Sequence, residues 1–268
     1  MIDTAQASAN PEPLLLREEK DGVTTLTLNR PNQYNALSEE LLIKMQKEFD
    51  DLGRDSAVRV IVLTGAGRAF CTGHDLKQMR ANPKQSYYKH LFSLSSNMML
   101  SMLQLPQPVI ARVHGTATAA GCQIVASCDL AIASTDAHFA VSGINVGLFC
   151  STPGVPLSRN MSRKRAMEML LTGNFIDAET AADYGLINRA VAPETLDDAV
   201  LQLAQTIAEK SPVAIKLGKE IFYKQLEKPI SEAYAVGGET MAGNMMTADA
   251  AEGIDAFISK RKPVWKGR

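Results

Sequence analysis

The sequence predicts an α/β fold closed by a helical C-terminal region. Two patterns carry that expectation. Short apolar, β-branched runs alternate with helix-periodic segments up to about residue 190, and from Pro193 onward every periodic segment is helical. With 268 residues, 46% of them hydrophobic, the chain can bury one sizeable core.

Val23 to Asn29 alternates Thr with Leu and reads as a strand ended by Arg30-Pro31-Asn32. Ser38 is placed to cap a helix carrying Leu41, Leu42, Met45, Phe49 and Leu52, with Gly53 at its close. Val58 to Leu63 is a buried strand, and Thr64 to Arg68 a glycine-rich turn. A helix from Ser86 to Leu105 presents Tyr88, Leu91, Phe92, Met99, Met102 and Leu103 on one side until Pro106 and Pro108 stop it. Val109 to Val113 and Leu130 to Ala133 are strands, with a helix over Ala119–Ser127 between them. A loop-rich stretch to Arg159 precedes helices near Arg163–Leu171 and Asp177–Tyr184, with Gly173 and Gly185 at C-cap positions. Beyond Pro193, Leu196, Val200, Leu203 and Ile207 mark one helix, Ser211-Pro212 starts another, and Ile254, Phe257 and Ile258 lie on the last. The expected division is a tail at 1–13, an α/β core at 14–192 and a helical region at 193–268.

Composition removes several function classes. The net charge of −1 gives no electrostatic footprint for nucleic acid or an anionic membrane. No apolar run reaches bilayer-spanning length. The four cysteines, Cys71, Cys122, Cys128 and Cys150, make no CxxC pair and read as free thiols, and no metal site is expected. With no secretory pattern at the N-terminus, the expected location is cytoplasmic.

Two turns carry the chemistry. Ala69-Phe70-Cys71-Thr72-Gly73-His74-Asp75-Leu76 follows a strand, and His114-Gly115-Thr116-Ala117-Thr118-Ala119-Ala120-Gly121-Cys122-Gln123 runs from a strand into a helix. Small residues let a ligand approach the backbone, and a helix start offers unpaired N–H groups. Side by side, two such turns can aim two N–H groups at one oxygen, the geometry of an oxyanion hole. Neither GxGxxG nor GxxxxGK[ST] occurs, so phosphate cradling is not the reading, and an α/β hydrolase is excluded by the missing GxSxG elbow.

These segments, with Leu28-Asn29-Arg30-Pro31, Asn35-Ala36-Leu37, Cys128-Asp129-Leu130-Ala131 and the ending Gly253-Ile254, Ala256-Phe257, Lys260-Arg261-Lys262-Pro263, resemble the crotonase (enoyl-CoA hydratase/isomerase) superfamily from about residue 14 to 265. The resemblance implies a spiral of ββα units with a C-terminal helical trimerisation region, assembled as a trimer or a dimer of trimers. It implies an acyl-CoA thioester as ligand, with coenzyme A as part of the substrate and no resident cofactor. The N–H groups of His74 and Ala120 would hold the thioester carbonyl. Gln33, Tyr34, Cys71, Gly73, Asp75, Leu76 and Gly121 would flank the ligand, with Phe257 and Lys260 near its nucleotide end. Core packing for Phe257 and a solvated face for Lys260 are the competing readings.

The sequence departs from the resemblance where it matters most. The two hydratase glutamates fall on Gln123, which cannot exchange a proton near pH 7, and Gly143, which has no side chain. The window Phe149-Cys150-Ser151-Thr152 supplies no acid either. The resemblance implies a nominal enoyl-CoA hydratase or isomerase of fatty acid metabolism. The departures point to a different thioester reaction, or to a catalytically inactive acyl-CoA-binding or regulatory subunit. Further expectations are that Asp75 caps the turn or the following helix, that Gln123 orients a water or a substrate oxygen, and that Gly143 leaves room for a bulkier acyl group. His74 has a titratable ring, His138 is packed or exposed, and Cys150 and Ser151 lack an assigned base.

Overall fold

In the computed structural model, which describes residues 12–268, the most apolar strand sits at the centre of the fold. All six residues of β3 (Val60–Gly65) are buried, as a parallel strand covered on both faces requires. Ahead of it come β1 (Leu15–Lys20), β2 (Val23–Leu28) and α1 (Glu39–Leu52). After it come β4 (Ala69–Cys71), α2 (Leu76–Ala81), α3 (Gln85–Gln104), β5 (Val109–Val113), β6 (Thr116–Thr118), α4 (Ala120–Ser127), β7 (Leu130–Ser134) and β8 (His138–Ala140). The chain continues through α5 (Ser151–Asn160), α6 (Arg163–Thr172), β9 (Ile176–Asp177), α7 (Ala178–Tyr184) and β10 (Arg189–Val191). It ends in α8 (Leu196–Ala208), α9 (Pro212–Leu226), α10 (Ile230–Met245) and α11 (Ala248–Ile258). Residues 1–11 of the expected tail lie outside the described residues.

The strands form two sheets. The larger runs β1-β2-β3-β5-β7-β10, with only β1 antiparallel, and the smaller runs β4-β6-β8-β9. Each successive pair, β3–β4, β5–β6 and β7–β8, sends one strand to each sheet before the chain turns into helix. That repeat is the expected spiral of ββα units, and it sets β4 beside β6, so the turns that follow them are neighbours. The main core fills between sheets and helices around Leu26, Leu63, Phe70, Phe49 and Phe139. A second cluster joins Val60, Val62, Ile110 and Ile132 to Leu196, Val200 and Ala204, so α8 packs on the other face of the large sheet.

Local sequence explains most element ends. Ser38 Oγ accepts from Leu41 N (3.3 Å) at the start of α1, and Ser211 Oγ accepts from Ala214 N at α9. Gly173 and Gly185 take the left-handed conformation that closes α6 and α7. In α3, Leu91, Met99 and Met102 are buried as expected. Met98 joins them, while Tyr88, Phe92 and Leu103 are only half-buried.

Besides the short strands β4, β6, β8, β9 and β10, two longer elements differ from the sequence reading. Strand β1 was not anticipated because it is an edge strand, LLREEK, with only Leu15 buried, so charge masks its period. The stretch read as loop before Arg159 contains α5, which carries Pro153 and Pro156. Pro153 falls in the first turn, where no N–H is needed, and burial of Pro153 and Leu157 holds the helix despite Pro156.

Candidate active site

The first turn is fixed from the N-terminal side of the chain. Asn35 is fully buried with φ +56, a left-handed position that asparagine tolerates. Its Oδ1 accepts from Arg30 N (2.9 Å), and its Nδ2 donates to the Ala66 and Ala69 carbonyls (2.9 and 2.8 Å). Leu37 then pairs with the turn as a single parallel bridge, with Leu37 N to Gly73 O at 2.7 Å and Asp75 N to Leu37 O at 3.0 Å. Asp75 caps α2 as expected, accepting from Lys77 N and Gln78 N, and pairs with Arg30 at 3.0 Å. Burial opposes the Asp75 charge, but the Arg30 and backbone N–H hydrogen bonds outweigh it and hold the carboxyl below its ordinary value.

The second turn is strained. Ala119 has φ +51 and ψ −120 although it is not glycine, and its N–H donates to Ala140 O (2.9 Å). Such a conformation costs on the order of 1–3 kcal/mol and persists only where surrounding contacts impose it. The neighbouring turn is one such contact. A Cβ on Gly73 would come within 2.8 Å of Ala119 Cβ and 3.3 Å of Ala120 N. A Cβ on Gly121 would overlap the Cys71 carbonyl. Glycine at 73 and 121 therefore lets the turns touch backbone to backbone. Among the described residues, neither the His74 nor the Ala120 N–H donates to a protein acceptor, and Ala120 is the first residue of α4.

A cavity of about 380 Å³ opens where the turns meet. His74, Leu76, Ala120 and Gly143 of the expected site residues line it. Thr72 and Ala119 of the two turns and the window Phe149-Cys150-Ser151-Thr152 line it as well, whereas Met79 and Phe92 from α2 and α3 and Val146, Leu148 and Pro153 around the start of α5 were not found from sequence. The apolar run Val146–Phe149 was the available signal, but only tertiary packing shows that it faces this space. No aspartate or glutamate is among the lining residues.

Gln33 and Tyr34 flank the first turn on the surface. Tyr34 O accepts from Thr72 N (3.2 Å), and its hydroxyl bonds to Arg68. Cys71 is fully buried and does not line the cavity, and burial pushes its thiol up to about 12. Gln123 is buried within α4 with Oε1 unpaired and does not line the cavity. Phe257 is 86% exposed, which overturns core packing for it. With Ile254 and Trp265 it borders a separate hollow, and Lys260 is exposed nearby. Neither reaches the cavity within one chain.

The expectation that Gly143 leaves room is corrected. A Cβ there would lie 2.6 Å from Leu148 O and 2.7 Å from Cys150 Sγ, so the volume of the missing side chain is already filled. His74 has both ring nitrogens buried without partners, and burial pushes its pKa down to about 4, so the ring is neutral at pH 7. His138 is exposed at the start of β8.

An α/β spiral brings two turns with unpaired backbone N–H groups, at His74 and Ala120, to the wall of one largely apolar cavity. The chain matches the enoyl-CoA hydratase/isomerase family over residues 18–268 and belongs to that family. It is 43% identical over 253 residues to enoyl-CoA hydratase domain-containing protein 3, mitochondrial, of Xenopus laevis, covering 94% of this chain and 86% of that protein. Among solved structures it resembles enoyl-CoA hydratase of Mycobacterium smegmatis (TM-score 0.93, 56% identity, covering 95% and 99% of the two chains). It also resembles human enoyl-CoA hydratase domain-containing protein 3 (TM-score 0.92, 41% identity, covering 94% and 100%). The cytoplasmic expectation is overturned by these relatives, since the Xenopus, rat, mouse, human and zebrafish proteins are all named mitochondrial. Among the described residues no helix is long and apolar enough to cross a membrane.

Proposed function

We propose that the chain binds acyl-CoA thioesters, holds the thioester carbonyl oxygen with the N–H groups of His74 and Ala120, and is not an efficient hydratase of simple enoyl-CoA. The observation that carries this is a cavity lined by two residues with unpaired N–H groups and by no carboxylate. Backbone donors need no particular side chain, so binding and enolate stabilisation survive His at 74 and Ala at 120. Hydration also needs a base for water and an acid for the α-carbon, each contributing roughly a hundred- to ten-thousand-fold. Gln123 and Gly143 provide neither. Coenzyme A would run past Gln33, Tyr34 and Leu76, with Gly73, Asp75 and Gly121 shaping the wall beneath.

A homo-oligomer, trimer or dimer of trimers, is supported by apolar side chains left bare on the last three helices. Phe222, Leu226, Tyr234, Met241, Phe257 and Ile258 are each between 54% and 86% exposed. In such an assembly Phe257 and Lys260 would serve the nucleotide end of a ligand in a neighbouring copy. The test of the main reading is paired. Crotonyl-CoA hydration is followed by loss of enoyl absorbance, and binding of the same thioester is measured by calorimetry. Binding without turnover is expected, and turnover at ordinary enzyme rates would refute the assignment of Gln123 and Gly143. Binding without turnover of any thioester tried would favour the regulatory-subunit reading.

A further inference from the structure

The space of the missing second carboxylate is held by a thiol. A Cβ on Gly143 would lie 2.7 Å from Cys150 Sγ. The segment leading to Gly143 is pinned to the second turn, because Ala119 N donates to Ala140 O (2.9 Å) and the hydroxyls of Thr118 and Ser142 share a 2.8 Å hydrogen bond. Cys150 and Ala120 are thereby held on one cavity wall. The other nucleophilic side chains there, Thr72, Ser142, Ser151 and Thr152, are hydroxyls, and Cys71, Cys122 and Cys128 do not line the cavity. Cys150 is also the N-cap of α5, a helix of 10 residues, and a helix N-terminus favours a thiolate. Burial raises its pKa and the Gly143 N–H works against that rise, so at pH 7 the group is mainly a thiol.

We infer that Cys150 is a covalent modification site for α,β-unsaturated acyl thioesters, with its Sγ adding to the β-carbon. The inference rests on the acyl-CoA reading above, in which position 143 is the place of a glutamate acting on the first acyl carbons and the unpaired N–H groups of His74 and Ala120 hold the carbonyl oxygen. The S–H bond breaks and an S–C bond forms at the β-carbon. The electron pair of the C=C bond moves through the α-carbon onto the carbonyl oxygen, where the two N–H groups meet the enolate charge. The thiol proton leaves to water, since no carboxylate lines the cavity, and a proton returns to the α-carbon. The net change is addition of S–H across the double bond, with no oxidant or reductant. The thioether then persists, because the wall holds no carboxylate base to take back the α-proton and expel the thiol. The thioester is captured once rather than turned over.

The test is intact-protein mass spectrometry with peptide mapping after the full chain is incubated with crotonyl-CoA, beside calorimetric binding of butyryl-CoA. A single adduct of the whole thioester is expected, mapped to Cys150, at a rate that saturates with crotonyl-CoA and is slowed by butyryl-CoA. The rate should rise about tenfold per pH unit between about pH 7 and pH 8, following the thiolate fraction. Enoyl absorbance then falls by one equivalent of protein and stops, whereas hydration would continue. Cys150→Ser removes the adduct, and Gly121→Ala, which parts the donor turns, slows its formation about tenfold. No adduct beside measurable butyryl-CoA binding overturns this inference and leaves the acyl-CoA reading standing. So does an adduct on another cysteine, or one that has lost coenzyme A and so marks attack at the carbonyl. Absence of both adduct and binding overturns both.

Discussion

Adding one methyl group at position 143 tests whether the place of the second glutamate is vacant or filled. Gly143 has no left-handed backbone requirement, so Gly143→Ala acts through space alone. The new Cβ meets Leu148 O at 2.6 Å and Cys150 Sγ at 2.7 Å, both closer than real Cβ contacts. The carbonyl cannot withdraw alone, because Leu148 N donates to Gly143 O at 2.9 Å and ties the two ends of the loop together. The sulfur belongs to a side chain only 8% exposed. Overpacking of this kind typically costs about 1–3 kcal/mol, and with two simultaneous clashes about 2 kcal/mol is expected. Urea denaturation reads it as a lower midpoint at unchanged slope. Adding Cys150→Ala recovers part of the loss and not all of it, since the carbonyl remains. By the same reasoning, Gln123→Glu combined with Gly143→Glu does not create a hydratase. A Gly143→Ala chain within about 0.5 kcal/mol of wild type, the usual range for an unconstrained surface change, would refute the reasoning by showing a loop that yields.

Three further outcomes are expected. Gly121→Ala drives a methyl into the Cys71 carbonyl and separates the two turns; thioester affinity should fall about tenfold, the value of roughly one hydrogen bond, and unchanged affinity by calorimetry would count against paired donors. Asp129 accepts from Lys219 Nζ (2.7 Å), Val109 N (2.7 Å) and Tyr223 (2.8 Å), so Asp129→Ala strands a buried lysine and should cost about 3–5 kcal/mol in denaturation; a loss under about 1 kcal/mol contradicts that role. Glu252 is held down to about 2 by hydrogen bonds from Arg261 and from Val264 N, with the Arg261 charge adding to them. A depressed carboxylate stabilises above its ordinary value of 4.5 and loses that contribution as pH falls towards 2. Trp265, the sole tryptophan, sits in the tail this clasp holds, so its emission should change over that window and Glu252→Gln should remove the window; identical titrations of both proteins would dismiss the clasp.

The sequence exposed the backbone of this site better than its walls. Both turns were readable because glycine and small residues between a strand and a helix have few other uses, and the structure accounts for them by backbone contact at Gly73 and Gly121. The Asn35 and Asp129 motifs were visible as patterns. Their work, stitching the first turn and anchoring α9, depends on partners 34 and 90 residues away, which no local period reveals. The cavity wall was missed for the same reason. Phe92 read as core and Val146–Phe149 as loop, and α5 was hidden by its prolines. Gly143 was misread because an absent side chain says nothing about what moves into its place.

The Leu37–His74 bridge has a consequence for how the protein can be divided. The chain from β3 to β8 contains both donor turns, yet the conformation of the first is imposed by Arg30, Asn35 and Leu37, which precede that stretch. A fragment beginning at β3 would carry every donor and lack the brace that orients one of them. The proposed site is therefore not a transplantable cassette, and transfer of the proposed thioester binding to another scaffold requires the segment from Leu28 to Leu37 to travel with it.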